Sequence, residues 1–212
     1  HHFGALNTCV DLNQRFGICR DDRVLALSSL SFDLSVFDIF GAIAAGAAIV
    51  MPPSESTHPP NPEIWHRLLT DHRVTIWNTV PALMELLVTY CELSNLRLPK
   101  SLRLVWMSGD WIPLGLPDRI RKVSTNVDIR VVSMGGATEA AIWSNIFEIP
   151  KVLDKSLTSI PYGRPLRNQT MYVSFESFEC EVFFYTLVIP GLTCHSTKCQ
   201  SVKVSKFIGG LY

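Results

Sequence analysis

Five short, nearly continuous apolar runs constrain this chain most. They lie at 24–27, 47–51, 74–77, 102–107 and 129–133. None alternates strictly between apolar and polar positions. A strand that is apolar on both faces must be covered on both faces. Residues 35–45, 63–71, 81–93 and 116–123, between the runs, carry helical patterns. Ile64, Leu68 and Leu69 fall on one helical face, and Pro81 suits a first helical turn. Residues 52–62 hold five prolines and read as a surface loop. The alternation predicts an α/β fold, a mainly parallel sheet with helices on both faces.

In such sheets ligands bind at the carboxyl ends of the strands. The residues just past the run ends are Ser31-Phe32-Asp33-Leu34-Ser35, Asn78-Thr79, Ser108-Gly109-Asp110 and Gly135-Gly136-Ala137-Thr138-Glu139. Polar and glycine residues recur at this one edge, which points to a small-molecule site. The last stretch is the most pointed. Paired glycines let backbone approach a ligand closely. Thr138 offers a donor to a phosphate oxygen, and Glu139 a carboxylate for a hard cation. An ordinary strand-to-helix turn with Thr-Glu as a capping pair fits equally well. Asp33 is open in the same way: it anchors an ammonium group, or Ser31 or Asp33 caps a helix. Asp110 either accepts from a base or sugar, or caps the helix that Pro113 introduces.

The remaining features exclude more than they assign. The 212 residues carry 19 basic and 19 acidic side chains, so nothing calls for nucleic acid or an anionic membrane as partner. No apolar run approaches the roughly 20 residues of a membrane span. Only 18% of residues are charged against 47% hydrophobic, so some apolar surface expects neighbours. The cysteines at 9, 19, 91, 180, 194 and 199 lack framework spacing, and a reduced, cytoplasmic setting is expected. Cys194-His195 with Cys199 matches no common zinc pattern. The six histidines form no Ser/His/Asp or Cys/His arrangement. Neither G-x-G-x-x-G nor G-x-x-x-x-G-K-[ST] occurs.

Ser133 to Trp143 resembles the adenine- and phosphate-binding motif of adenylate-forming enzymes, in particular the adenylation domains of nonribosomal peptide synthetases. Leu30-Ser31-Phe32-Asp33-Leu34-Ser35-Val36-Phe37-Asp38 resembles their upstream motif. Ser108-Gly109-Asp110 and Ile160-Pro161-Tyr162-Gly163-Arg164-Pro165 are similar to two further elements, and residues 2–16 to the stretch after the phosphate loop. The resemblance covers residues 1–173 and implies the central part of the family's large N-terminal subdomain.

It also implies a reaction. An amino acid and ATP give an aminoacyl-adenylate and pyrophosphate, and the acyl group passes to a phosphopantetheine thiol on a carrier domain. By position Asp33 binds the α-ammonium, Gly109 and Asp110 line the nucleotide pocket, and Gly135-Gly136-Ala137 lies along adenine. Thr138 contacts the α-phosphate and Glu139 binds Mg²⁺. The specificity pocket comprises Asp33, Leu34, Phe37, Asn78, Trp106, Ser108, Met134, Ile142 and Trp143. The set is similar to cysteine-activating domains, although Trp106 is bulkier than that pattern. Implied partners are carrier and condensation or cyclisation domains of the same synthetase. An acyl- or aryl-CoA ligase is the second expectation, which Asp33 disfavours. A non-catalytic nucleotide-binding remnant is the third.

The chain departs from the pattern at both ends. The glycine-rich phosphate loop and the small C-terminal subdomain with its catalytic lysine have no counterpart within it. A partial domain, inactive in isolation, is therefore expected. Residues 174–212 depart from the family and read as an atypical tail. Within it, 182–192 reads as a strand or a short apolar segment broken by Pro190-Gly191.

Overall fold

A computed structural model describes residues 2–176, 179–186 and 202–204, with side chains through residue 171. Strands β1 (Arg23–Leu25), β2 (Ala48–Val50), β3 (Ile76–Thr79), β4 (Leu104–Met107) and β5 (Arg130–Gly135) pair in parallel. β6 (Asn145–Glu148) and β7 (Arg164–Pro165) extend the sheet antiparallel beyond β5. The order is β2-β1-β3-β4-β5-β6-β7. The expected run at 129–133 is thus not the last strand. Register brings Leu25, Trp77, Val105 and Val131 level across the sheet.

Successive strand residues serve opposite faces. Leu25, Trp77, Val105 and Val131 pack beneath α4 (Pro62–Asp71), α5 (Pro81–Leu93) and α6 (Leu116–Val123). Val24, Ile76, Leu104, Trp106 and Val132 pack on the other face, against α1 (His2–Phe16) and residues 34–42. The helices start for local reasons. Pro62 occupies the first turn of α4, and the Asn61 side chain accepts from the Glu63 and Ile64 amides.

α1 carries no clear periodic signal, and no element was expected there. It buries Thr8, Cys9, Asp11, Leu12 and Phe16. Its outer face leaves Phe3 and Leu6 exposed, as Phe40 and Ile43 are further on. The helix expected at 35–45 is three pieces: α2 (Leu34–Val36), a π-helical turn (Phe37–Gly41) and α3 (Ala42–Ala44). The wider turn fits because the Phe37 ring lies against Gly41, where a Cβ would come within 2.5 Å of ring carbon. It sends both Phe37 and Asp38 into the interior, where neither is exposed.

Arg103 ties the opposite end of the sheet together. It donates to both Asp22 carboxylate oxygens at 2.8 and 2.7 Å, and to the carbonyls of Phe16 and Gly17 at the end of α1. Burial alone pushes the Asp22 carboxyl up. Arg103, the Thr75 hydroxyl and the Cys19 amide outweigh it and hold the group below its usual 3.8. That stability is present above about pH 4 and is lost as acid protonates Asp22. Arg103→Ala should cost about 1.5–3 kcal/mol, the range for hydrogen bonds to a charged group, and flatten the acid limb of a melting-temperature profile. An unchanged acid limb would remove Asp22 from this role.

Past β7 the chain forms β8 (Gln169–Glu176), paired antiparallel with β9 (Glu179–Thr186), which pairs with β10 (Val202–Val204). β8 runs through Val173, the expected boundary of the tail. Of the expected segment 182–192, residues 182–186 belong to β9 and the rest lie outside the described residues. Cys180, Cys194, His195 and Cys199 are not described beyond the β9 backbone at Cys180.

Candidate active site

The loops after β1, β3, β4 and β5 all leave the same edge of the sheet, as the register requires. At that edge three helix-cap alternatives meet their test. Asp33 stands at the N-cap of α2 with helical backbone, and its side chain caps nothing. The half-buried carboxylate has no other hydrogen bond or ion pair among the described residues. Thr138 begins a short 3₁₀ turn (Thr138–Ala140) whose N-cap is Ala137, and no side chain caps it. Thr138 and Glu139 are both exposed. Asp110 does not cap α6, whose N-cap is Gly115; its Oδ1 accepts from the Trp111 amide at 2.7 Å. The capping readings fail at all three places.

The β5 loop is held in a tight, strained return. Ala141 and Ile142 both adopt left-handed backbone, at φ 66° and 74°. A β-branched residue there is a costly conformation that surrounding contacts must hold. The Ser144 amide donates to the Gly135 carbonyl at 2.8 Å, closing the loop. α1 braces it from outside: the Thr8 hydroxyl donates to the Ala141 carbonyl at 2.9 Å. Gly136 is dictated by this return. A Cβ on it would stand 2.6 Å from the Ile142 carbonyl oxygen and 2.7 Å from Trp143 Cα. The glycine has a packing duty as well as any duty toward a ligand.

The expected specificity residues come together. Leu34, Phe37, Trp106, Met134, Ile142 and Trp143 belong to one buried cluster. Phe37 meets Trp106 edge-on with ring centroids 4.7 Å apart, and Trp143 lies 5.8 and 5.9 Å from these two rings. Asn78 is buried beside Trp106 in the β3–β4 register and reaches the Leu34 carbonyl; Ser108 follows two residues past Trp106. Asn78 Oδ1, Ser108 Oγ and the indole nitrogens of Trp106 and Trp143 are buried without hydrogen-bond partners among the described residues. Buried polar atoms left idle in a largely apolar cluster are uncommon and call for an explanation.

Asp38 was missed as a site residue. It accepts from Asn78 Nδ2 at 2.8 Å, and burial pushes its carboxyl up to about 7 against the pull of Asn78 and Ser28. The folded value exceeds the usual 3.8, so ionising it destabilises the fold as pH rises from about 4 to 7. Asp38→Asn should therefore melt a few degrees above the parent at pH 8 and no higher at pH 4. A pH-independent difference would contradict this.

A cleft of about 130 Å³ opens beside this cluster, lined by Gly109, Asp110, Ser133, Gly135, Gly136 and Tyr162 among others. Three of these present no side chain, which leaves room for a flat group. Glu139 does not line it; its exposed carboxylate has no hydrogen bond or ion pair among the described residues. Among the described residues no three His, Cys, Asp or Glu side chains gather as a metal cage. A lone carboxylate suits Mg²⁺ held jointly with phosphate oxygens. The thiols of Cys9 and Cys91 are pushed up to about 11 by burial, which leaves them unreactive near neutrality.

The profile of the AMP-binding enzymes matches residues 1–179. The chain belongs to the AMP-binding enzyme family. Among curated relatives, the Anguibactin system regulator of Vibrio anguillarum is 50% identical over 168 residues, 79% of this chain and 16% of that protein. Pyochelin synthetase PchF of Pseudomonas aeruginosa is 46% identical over 172 residues, 81% of this chain and 9% of its own. The chain therefore spans under a fifth of these relatives. The crystal structure of the nonribosomal peptide synthetase FmoA3 superposes with TM-score 0.80 at 42% identity, over 86% of this chain and 20% of that one. AMPPNP-bound and alpha-methyl-L-serine-AMP-bound forms of FmoA3 match with the same score. The mainly parallel α/β architecture of the family's N-terminal subdomain is thus the one observed. No described helix is long and apolar enough to cross a membrane.

Proposed function

We propose that the chain is the substrate-binding part of an amino-acid-activating adenylation domain in nonribosomal peptide synthesis. One observation carries this: Asp33 holds a cap position, caps nothing and keeps a half-buried carboxylate free of partners among the described residues. A carboxylate in such a place seeks a cation, and the α-ammonium of an amino acid supplies one. A CoA ligase acting on acids without an amino group would leave it unpaired.

In this reading the substrate carboxylate attacks the α-phosphorus of ATP, the bond to the bridging oxygen breaks, and pyrophosphate leaves. Asp33 orients the amino acid. Thr138 donates to the α-phosphate, Gly109 and Asp110 line the nucleotide cleft, and Gly135-Gly136-Ala137 borders the base. Glu139 would hold Mg²⁺, which offsets charge developing on phosphate. Leu34, Phe37, Asn78, Trp106, Ser108, Met134, Ile142 and Trp143 enclose the side chain. The similarity of this set to cysteine-activating domains, with its idle polar atoms, favours a cysteine-like substrate. The aminoacyl group then passes to a phosphopantetheine thiol on a carrier domain, beside condensation or cyclisation domains, in the cytoplasm. The AMPPNP and the alpha-methyl-L-serine-AMP carried by FmoA3 support ATP and an amino acid as the pair.

Calorimetric titration of the 212-residue chain tests the reading. MgATP and L-cysteine should each bind. Amino-acid-dependent pyrophosphate exchange should be absent, because the resemblance assigns the catalytic lysine to another subdomain. Robust exchange would refute the inactivity, and binding of neither ligand would refute the site. The division at residue 173 belongs to the same proposal; an uninterrupted spliced message encoding 174–212 would count against an unrelated tail.

A further inference from the structure

The β5–β6 pair places Asn145 directly opposite Gly135. Asn145 Nδ2 donates to the Tyr162 carbonyl. That bond fixes the amide and turns Oδ1 the other way. Oδ1 is buried and has no hydrogen-bond partner among the described residues. It stands 2.7 Å from where a Cβ on Gly135 would lie, so it occupies the space a side chain there would fill. Asn145, Gly135 and Tyr162 all line the 130 Å³ cleft. A locked amide with its acceptor idle at a cleft wall is costly to the empty protein and fits a ligand that brings a donor.

We propose that Asn145 reads the nucleobase: its Oδ1 accepts a hydrogen bond from the 6-amino group of adenine and rejects 6-oxo purines. Adenine presents an amino donor where guanine and hypoxanthine present a carbonyl acceptor. An oxo group there sets two acceptors against each other, both removed from water, and the Tyr162 bond prevents the amide from flipping. The inference rests on the nucleotide reading of the cleft given above. It explains Gly135 too, since any larger residue would displace the amide.

The test compares MgATP with MgITP, the hypoxanthine nucleotide, on the 212-residue chain by equilibrium dialysis. ATP should bind about tenfold more tightly than ITP, the effect of one hydrogen bond replaced by an acceptor clash. In Asn145→Leu, checked for folding by tryptophan fluorescence, ATP should weaken to the level of ITP. Equal affinities in the parent chain, a comparison that needs no variant, would overturn the role of Asn145 and leave the nucleotide cleft standing. A preference for ATP that survives in Asn145→Leu would overturn it as well. Binding of neither nucleotide would remove the cleft's function and this inference together.

Discussion

Asp33→Ala is expected to weaken L-cysteine binding by about 2–3 kcal/mol, roughly 30- to 150-fold, the range for a hydrogen bond to a charged group. The loss should be specific. 3-Mercaptopropanoic acid, which lacks the amino group, should bind the parent and the variant alike. Melting temperature should move little, because the carboxylate caps no amide and pairs with no cation among the described residues. Calorimetry with both ligands and a thermal melt give all three readouts. A drop of about 1 kcal/mol in stability with unchanged ligand binding would return Asp33 to the role of a helix cap.

The second large effect is expected at Gly136. Alanine there would bring Cβ to 2.6 Å from the Ile142 carbonyl oxygen, 2.7 Å from Trp143 Cα and 2.8 Å from the Ser144 nitrogen. All three are backbone atoms in a loop that the Ser144–Gly135 hydrogen bond and the Thr8–Ala141 bond already hold. The strain cannot relax through a side-chain rotation. Overpacking of this kind costs about 3 kcal/mol, and the displaced return would carry Trp143 out of the aromatic cluster. Gly136→Ala should therefore melt several degrees lower and lose both ATP and amino-acid binding. A variant that keeps its melting temperature would show that the return segment yields more easily than its hydrogen bonds suggest.

These predictions differ in how far local sequence could reach them. The helices at 81–93 and 116–123 begin and end where their prolines and apolar spacing place them. The strand runs at 102–107 and 129–133 sit on β4 and β5, within two residues at each end. α1 was invisible because its buried face mixes Thr8, Cys9 and Asp11 with Leu12 and Phe16. Its helix is held by Arg103, more than 80 residues away, and by the return loop it braces. Asp38 was passed over because a π turn, not a regular helix, turns it inward beside Phe37. Asn145 lies outside any expected strand, and its place opposite Gly135 exists only in the β5–β6 register.

Sequence by itself determined the α/β layering and the edge at which the candidate site lies. Both follow from periodicity and from the residues that end each strand, which are local properties. It also named the residues that gather there, through the family resemblance. Tertiary structure alone decided which of them are free. Asp33, Thr138 and Asp110 each allowed a cap or a ligand group. The choice turned on whether the amides of a helix's first turn lay within reach: none does for Asp33 or Thr138, and Asp110 takes the Trp111 amide, ahead of α6. It decided Gly136 likewise, since the backbone that crowds it arrives six to eight residues later. Hydrogen-bond partners and close approaches join residues distant along the chain, and no spacing of residue types specifies them.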